Sequence, residues 1–285
     1  MLVKGVLYVV ATPIGNLNDM SLRALDVLAH VDIIAAEHVQ TSRHLLSHYS
    51  IAVKNIKLIA LHQHNEKIIV NKILAFLADG KSVALITDAG TPAVSDPGAI
   101  LVQQAREHEF TVIPIPGANA AICALSAAGI TNPHFLFYGF LPTKSGLRQR
   151  ELTALASLPY TLIFYEAPHR ILESLSDMAT ILGGHRQLTI ARELTKLFET
   201  IHNCRLDEAT GWISDGDHRH KGEFVLLVSG RQTQEKTEIS DQSQQVLQIL
   251  MAELPLKQAV KLTAEISGDN KNTLYQLALS IKKQP

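Results

Sequence analysis

Cysteine is scarce in this 285-residue chain: Cys123 and Cys204 are the only two. Neither sits in a Cys-x-x-Cys pair or at metal-ligand spacing. That excludes a disulfide framework and implies two reduced, structural thiols. Net charge is also missing. The formal value is -1, so the chain as a whole has no attraction to nucleic acid, and any such surface must come from local clustering. No segment approaches the length of a membrane-spanning helix. The apolar stretch from Ala118 to Ile130 is too short, and it is bounded by Gly117 and Asn132-Pro133. The N-terminus carries one charge and a short apolar run interrupted by Thr12-Pro13, without the small-residue cleavage pattern of a signal peptide. These absences predict a soluble, cytoplasmic protein.

Several motifs are missing as well. There is no Gly-x-Gly-x-x-Gly, which removes support for a dinucleotide fingerprint, and no Walker A lysine loop. The close histidine pairs, His62-Gln63-His64 and His218-Arg219-His220, have no cysteine or acidic companions at zinc spacing. No metal site is expected.

What is present is a composition that can bury a core: 46% hydrophobic and 19% charged residues. Apolar runs at Leu7 to Val10, Asp32 to Ala36, Lys57 to Leu61, Ser82 to Thr87 and Thr111 to Ile115 read as buried parallel strands. Helical patterns lie between them. Ser21 is placed to cap a helix bearing Leu22, Leu25 and Leu28. Asn65 to Asp79 repeats Ile68, Ile69, Ile73, Leu74 and Leu77 before Gly80, a C-cap. This alternation predicts a first α/β domain over residues 1–130. A joint at Ile130-Thr131-Asn132-Pro133 leads to a second α/β domain over 131–230 with room for a mixed sheet. Its strands are expected at Phe135 to Phe140, Thr161 to Tyr165, Leu188 to Ala191 and Phe224 to Val228. Residues 231–244, polar and Gln-rich, read as a linker. Residues 245–285 read as a small helical module with patterns at Gln245 to Ala252, Lys257 to Ile266 and Lys271 to Ile281. Its last two helices fit either a helix-turn-helix or a plain helical hairpin. Leu262, Ile266, Leu274, Leu277 and Ile281 are its candidate core.

Three loops rich in glycine and proline each follow a strand: Thr12-Pro13-Ile14-Gly15-Asn16, Asp88-Ala89-Gly90-Thr91-Pro92 and Pro116-Gly117-Ala118-Asn119-Ala120. Open α/β sheets bind ligands at the carboxyl ends of their strands, and small residues there let a ligand reach the backbone. Pro and Gly also simply end strands, but three such loops in one domain point to a shared cleft. The second loop continues through Val94, Ser95 and Asp96-Pro97-Gly98. Asp96 reads as the N-cap region of the next helix. Asp88, at a strand end, has no such structural explanation. Further on, Arg170, Arg192, Lys196 and Lys221 stand at strand ends, where they would suit a phosphate-bearing substrate if they share a face.

Taken in order, the three loops are joined by Tyr138-Gly139-Phe140-Leu141-Pro142, Phe164-Tyr165-Glu166-Ala167-Pro168-His169-Arg170, Arg192-Glu193-Leu194-Thr195-Lys196 and Lys221-Gly222-Glu223. Over about residues 5 to 230 this series resembles the tetrapyrrole methylase superfamily, and within it the branch that methylates small-subunit ribosomal RNA. The resemblance implies two α/β domains with the donor cleft between them, a C-terminal helical extension that helps bind RNA, and a homodimer. It implies S-adenosylmethionine as methyl donor and 2′-O-methylation of a cytidine ribose, on ribosomal RNA or the assembled small subunit. It places Pro13 against the donor. Asp88, Ala89, Gly90 and Val94 would lie on the methionine and ribose side, with Asn119 and Ala120 beside the adenosine. Glu166, Glu223 and Phe224 would close the adenine side. Arg170, Lys196, Lys221, Lys257, Lys261 and Lys271 are the candidate RNA contacts.

The family's Ala-Glu-Asp-Thr-Arg is replaced here by Ala36-Glu37-His38-Val39-Gln40, with Arg43 three positions on. Glu37 is kept. Attack of a ribose oxygen on a sulfonium methyl needs alignment, exclusion of water and an acceptor for the hydroxyl proton. Glu37 and Asp88 are the candidate acceptors. Two other readings compete: methylation of a small tetrapyrrole-type molecule by the same fold, and a non-catalytic RNA-binding assembly factor.

Overall fold

A computed structural model of the chain describes residues 5–52, 54, 56–231 and 239–283. The chain divides into two compact units, Met1–Arg231 and Gln232–Pro285.

The first unit contains two sheets. Strands β1 (Val6–Val10), β2 (Ile33–Ala36), β3 (Lys57–Ala60), β4 (Val83–Ile86) and β5 (Thr111–Ile115) form one, in the order β3-β2-β4-β1-β5. Every pairing in it is parallel. β2 and β4 are buried along their whole length, which is why they read as unbroken apolar runs rather than as alternations. Side chains of β1 divide by the period of two. Val6, Tyr8 and Val10 pack on one face with Ala24 and Leu28, while Leu7 joins Ile73 and Leu77 on the other. The helices covering these two faces are α1 (Leu22–His30) and α2 (Val39–His48) on the first, and α3 (Glu66–Ala78) and α4 (Ala99–Glu107) on the second.

Two expected details hold and two need correction. The Ser21 hydroxyl accepts the Ala24 N–H at 3.1 Å, as an N-cap should. Gly80 follows α3 at φ +73°, the left-handed position that favours glycine. Leu22 and Ile68, however, are exposed, and Ala24 and Val70 take the inward positions. Small and β-branched residues beside the larger leucines turn the buried stripe by about one residue.

The segment from Ala118 onward is α5 (Ala120–Ala127), capped by the Asn119 side chain, which accepts the Ile122 N–H at 3.1 Å. The second sheet comprises β6 (Phe135–Phe140), β7 (Thr161–Glu166), β8 (Gln187–Arg192), β9 (Thr200–Arg205) and β10 (Phe224–Val228), in the order β6-β7-β10-β8-β9. Only β6 and β7 run parallel, so the sheet is mixed. Helices α6 (Ser145–Leu155), α7 (Ile171–Met178) and α8 (Leu206–Ser214) complete it. β9 is an addition to the strands expected from the sequence. It is an edge strand whose Thr, His, Asn and Arg give little hydrophobic signal, and its residues alternate between half-buried and exposed.

The second unit holds α9 (Asp241–Glu253), α10 (Leu256–Ser267) and α11 (Lys271–Lys283). α9 begins four residues before the expected start of the module, because Ser240 caps it by accepting the Ser243 N–H at 3.1 Å. Gly268, at φ +72°, ends α10, and Asn270 accepts the Asn272 N–H at 2.8 Å where α11 begins. The module has its own core of Leu247, Ala259, Val260, Leu274 and Ala278, with Leu277 and Ile281 packed against it. Of the expected core, Leu262 and Ile266 instead face outward. Of the polar stretch expected as a linker over 231–244, residues 232–238 lie outside the described residues and 241–244 form the first turn of α9.

Candidate active site

The three small-residue loops follow β4, β1 and β5, which are neighbours in the first sheet. Loops from adjacent parallel strands emerge at one edge, so the folding pattern alone brings them together. They are also bonded to one another. Thr12 and Gly90 exchange backbone hydrogen bonds of 2.9 and 3.0 Å. The Thr91 hydroxyl donates to the Ala118 carbonyl at 3.0 Å. Gly90 holds φ +82°, which a β-branched residue there would resist.

Opposite these loops stands the second sheet. The Tyr165 hydroxyl accepts the Ala121 N–H at 3.2 Å, tying β7 to the start of α5. Where the β6–β7 register shifts, Gly139 lies against the second loop, and a Cβ there would stand 2.6 Å from the Ser95 Oγ. Two sheets held this way enclose a cavity of about 340 Å³, within the range of small-molecule sites. Ile14, Gly90, Val94, Asn119 and Ala120 contribute from the first sheet. Phe140, Tyr165, Glu166, Leu194, Glu223 and Phe224 contribute from the second.

The walls are largely apolar, and the charged residues among them, Asp96, Glu166 and Glu223, are acidic. Glu166 is buried, accepts the Ala167 N–H at 2.8 Å and pairs with Arg170. Lys196 bridges Glu193 at 2.9 Å and Glu223 at 2.8 Å. Burial opposes the charge of Glu193, but the bonds from Lys196 and the Glu223 N–H outweigh it and hold its carboxyl below the usual range. Asp96 also lines the cavity. Burial, then the charges of Glu37 and Asp88, push its carboxyl up to about 7. Such a cavity suits a ligand that is cationic at one end and flat and apolar at the other, which is the character of a sulfonium nucleoside.

Of the residues expected to bind the donor, Ala89, Gly90, Val94, Asn119, Ala120, Glu166, Glu223 and Phe224 line the cavity. Pro13 and Asp88 do not. Pro13 is buried just behind Ile14, and Asp88 points toward β2. There its carboxylate meets His38 Nδ1 at 2.7 Å, and its N–H donates to Glu37 at 3.3 Å. Donor-type atoms of Glu37, His38 and Asp88 thus lie within 4.8 Å of one another, a gathering that sequence spacing did not reveal. Their mutual hydrogen bonds account for it, and it carries no metal assignment.

The expected cationic face is weaker than the sequence implied. Arg192 is buried and donates to the carbonyls of Lys221 at 2.6 Å, His218 at 3.0 Å and Phe198 at 3.4 Å. Arg170 and Lys196 are taken up by carboxylates. Lys221 is exposed. In the second unit Lys257 and Lys271 are exposed, and Lys261 sits 3.8 Å from Glu265. Both cysteine thiols are raised by burial, Cys204 to about 11, in keeping with inert structural roles.

The fold and cavity define a methylase: the family described as Tetrapyrrole (Corrin/Porphyrin) Methylases matches residues 6–210. The family described as the RsmI C-terminal HTH domain matches residues 237–282. Among curated proteins, Ribosomal RNA small subunit methyltransferase I of Escherichia coli O157:H7 is 49% identical over 97% of this chain and 95% of its own length. That of Pseudomonas aeruginosa is 50% identical over 96% and 97%. A solved uroporphyrin-III C-methyltransferase from Thermus thermophilus, complexed with S-adenosyl homocysteine, shares the fold at a TM-score of 0.55 and 17% identity, over 78% of this chain and 96% of that one. The chain belongs to the ribosomal RNA small subunit methyltransferase I family. It is a methyltransferase, and the donor of that class is S-adenosylmethionine. No helix among the described residues is long and apolar enough to cross a membrane.

Proposed function

We propose that this protein transfers a methyl group from S-adenosylmethionine to the 2′-hydroxyl of a cytidine ribose in small-subunit ribosomal RNA. The observation that carries the reading is the acidic, apolar-walled cavity closed by both sheets at the ends of β1, β4 and β5. The sequence match along nearly the whole chain supports the RNA substrate.

In this reading residues 1–130 and 131–230 are the two catalytic domains, and the RNA-assisting module starts at α9, at Asp241 rather than at 245, which shortens the expected linker to 231–240. Ala89, Gly90 and Val94 hold the methionine and ribose side, backed by Pro13 and Asp88. Asn119 and Ala120 flank the adenosine. Glu166, Glu223 and Phe224 close the adenine side. When bound, S-adenosylmethionine supplies a methyl carbon on a positively charged sulfur. The chain's own part is to balance that charge with carboxylates, keep water out with Phe140, Tyr165 and Leu194, and align the incoming hydroxyl. Glu37 and Asp88, the candidate proton acceptors, add negative charge next to Asp96 of the cavity wall. Lys221 with Lys257, Lys261 and Lys271 meets RNA phosphates; Arg170 and Lys196 add less, since each is neutralised by carboxylates. The protein works in the cytoplasm as a homodimer. Leu197 and Phe198, 90% and 66% exposed, offer apolar surface that a second copy would cover.

The test incubates the protein with isotope-labelled donor and unmodified small subunits or naked ribosomal RNA, then digests the product to nucleosides. Label in 2′-O-methylcytidine is expected. Label on a base, label only in a small tetrapyrrole-type acceptor, or no transfer to either substrate overturns the reading.

A further inference from the structure

The cavity uses the ends of β1, β4 and β5, but the same edge of the first sheet continues past it. Beyond β4 come β2 and then β3, and since these pairings are parallel their carboxyl ends face the same way. Hydrogen bonds make this edge a continuous lip. The Leu61 N–H donates to the Ala36 carbonyl at 2.8 Å, the Glu37 N–H to the Ile86 carbonyl at 3.3 Å, and the Asp88 N–H to the Glu37 carboxylate at 3.3 Å. At strand spacings of about 4.8 Å, the lip runs roughly 10 Å outward from Asp88, beside the cavity-wall residue Ala89, to His62.

Four side chains on or beside this lip have nitrogens that the fold leaves unused. The Asp88 carboxylate only accepts, so His38 Nδ1, 2.7 Å from it, carries the proton, and Nε2 of this exposed ring is left for an outside partner. The His62 side chain makes no hydrogen bond among the described residues, and its Nδ1 is also sealed from water, which a fold rarely leaves without a reason. His64 is exposed and meets His62 edge-on, ring centres 6.0 Å apart. The loop holding both is fixed by Asn65, which accepts the His62 N–H at 2.9 Å and donates to the Ala60 carbonyl at 3.1 Å. Arg43, one turn into α2, is exposed and forms no ion pair among the described residues. Helical side chains lean toward the helix N-terminus, so Arg43 leans back to the lip, where α2 begins. The carboxylates here are occupied. Asp88 is paired with His38, and Glu37 accepts the Asp88 N–H. Glu66 is turned inward, where its Oε1 accepts the N–H groups of Gly98 at 3.0 Å, Ile100 at 3.1 Å and Leu101 at 3.4 Å.

We propose that His38, Arg43, His62 and His64 seat a backbone phosphate of the RNA strand, next to the nucleotide whose ribose enters the cavity. This rests on the functional reading above and deepens it. The acidic cavity repels phosphate, so the RNA backbone must turn aside at its edge. On the second sheet Arg170, Arg192 and Lys196 are consumed by internal bonds. The lip offers an unpaired guanidinium, whose fork matches phosphate oxygens, together with three imidazoles. Contacts to phosphate fix the register of a strand without reading its sequence, which is what presenting one particular ribose to the cavity requires. These four are therefore positioning residues.

The test uses the full chain with His38→Asn, Arg43→Ala and His64→Ala combined. Asparagine at 38 keeps a donor for Asp88 and removes the outer ring nitrogen. The triple variant should melt like the parent and bind donor with parental affinity. On unmodified small subunits its KM should rise at least about tenfold while kcat stays within about twofold of the parent. Its binding to naked small-subunit ribosomal RNA should weaken and lose about 0.7 of salt slope for each phosphate contact removed. Arg43→Lys should recover most of the loss seen in Arg43→Ala alone. Arg106→Ala, which removes an exposed cation from the far end of α4, should behave as the parent. An unchanged KM, an equal loss in Arg106→Ala, or a loss explained by lower donor affinity or melting overturns the proposal. A raised KM on subunits with parental binding to naked RNA would assign the lip to a ribosomal protein and overturns it too. A parent that methylates no ribose defeats the functional reading and this proposal together, whereas a parent and triple variant that methylate ribose with the same KM defeat the proposal alone.

Discussion

The Glu66 carboxyl reaches across to the backbone N–H of Gly98 at 3.0 Å, joining the first turn of α3 to the start of α4. Glu66 is only 6% exposed, so these bonds are made away from water, where their loss leaves buried donors unpaired. Glu66→Ala is expected to cost about 1–3 kcal/mol in urea unfolding and to weaken donor binding by releasing the loop that carries Asp96. Glu66→Gln keeps an accepting oxygen and should lose less than half as much. Equal losses in the two variants would show that the backbone bonds are not the cause.

Arg148 is the most buried cation of the second sheet's core, with 1% of its side chain exposed and Asp177 at 2.6 Å. Arg148→Met should cost about 3–5 kcal/mol, because Asp177 is left charged and unpaired. Arg148→Met with Asp177→Leu should recover most of that loss, measured by urea unfolding of all three proteins. The same pair sets an acid limit. Burial opposes the Asp177 charge, but bonds from Gln149, Arg148 and Ser145 outweigh it, and the carboxyl is held below its ordinary 3.8. A group with a depressed folded value contributes its stability above the unfolded value and loses it as pH falls through the folded one. Parent stability should therefore drop below about pH 4. Asp177→Asn, less stable at neutrality, should show a shallower drop there.

Donor binding should be sensitive to Gly90, where φ is +82° and the backbone meets both Thr12 and the cavity. Calorimetry of Gly90→Val should show affinity reduced more than about tenfold, or 1.4 kcal/mol. Asp88→Ala should weaken binding by a smaller factor, since Asp88 stands one residue behind the cavity wall. Parental affinity in both proteins would remove the donor from this cavity.

Deleting residues 240–285 should lower RNA affinity and leave donor affinity unchanged. From Pro255 to Pro285 there are five lysines against Glu265 and Asp269. For every phosphate that these lysines no longer neutralise, the salt dependence should fall by about 0.7 on a single strand and about 0.9 on a duplex. Normal RNA binding by a truncated protein that has become monomeric would make the module structural instead.

Chelation should leave methyl transfer unchanged, because a sulfonium carbon needs no Lewis acid to accept an oxygen. Rates with and without EDTA, followed by readdition of single divalent ions, check this. A rate restored by one ion alone would give Glu37, His38 and Asp88 a different role.

The local code was sufficient for much of this protein. Leu7 to Val10 and Ser82 to Thr87 announce buried parallel strands because both of their faces are covered, Ser21 starts a helix by its own chemistry, and Gly80 and Gly268 end theirs. The three small-residue loops that line the cavity were legible too, because close approach to a backbone demands small residues wherever it happens. Tertiary structure decided what depends on which strands become neighbours. The order β3-β2-β4-β1-β5 sets the loops after β4, β1 and β5 side by side, and brings Glu37 and His38 against Asp88 across fifty residues. It turned Arg192, which reads as a phosphate ligand, inward onto three carbonyls. It also gave the cap of α4 to Glu66, leaving Asp96, a cap by sequence, facing the cavity. A carboxyl caps whichever N–H groups it can reach, and reach through space is fixed by packing, not by distance along the chain.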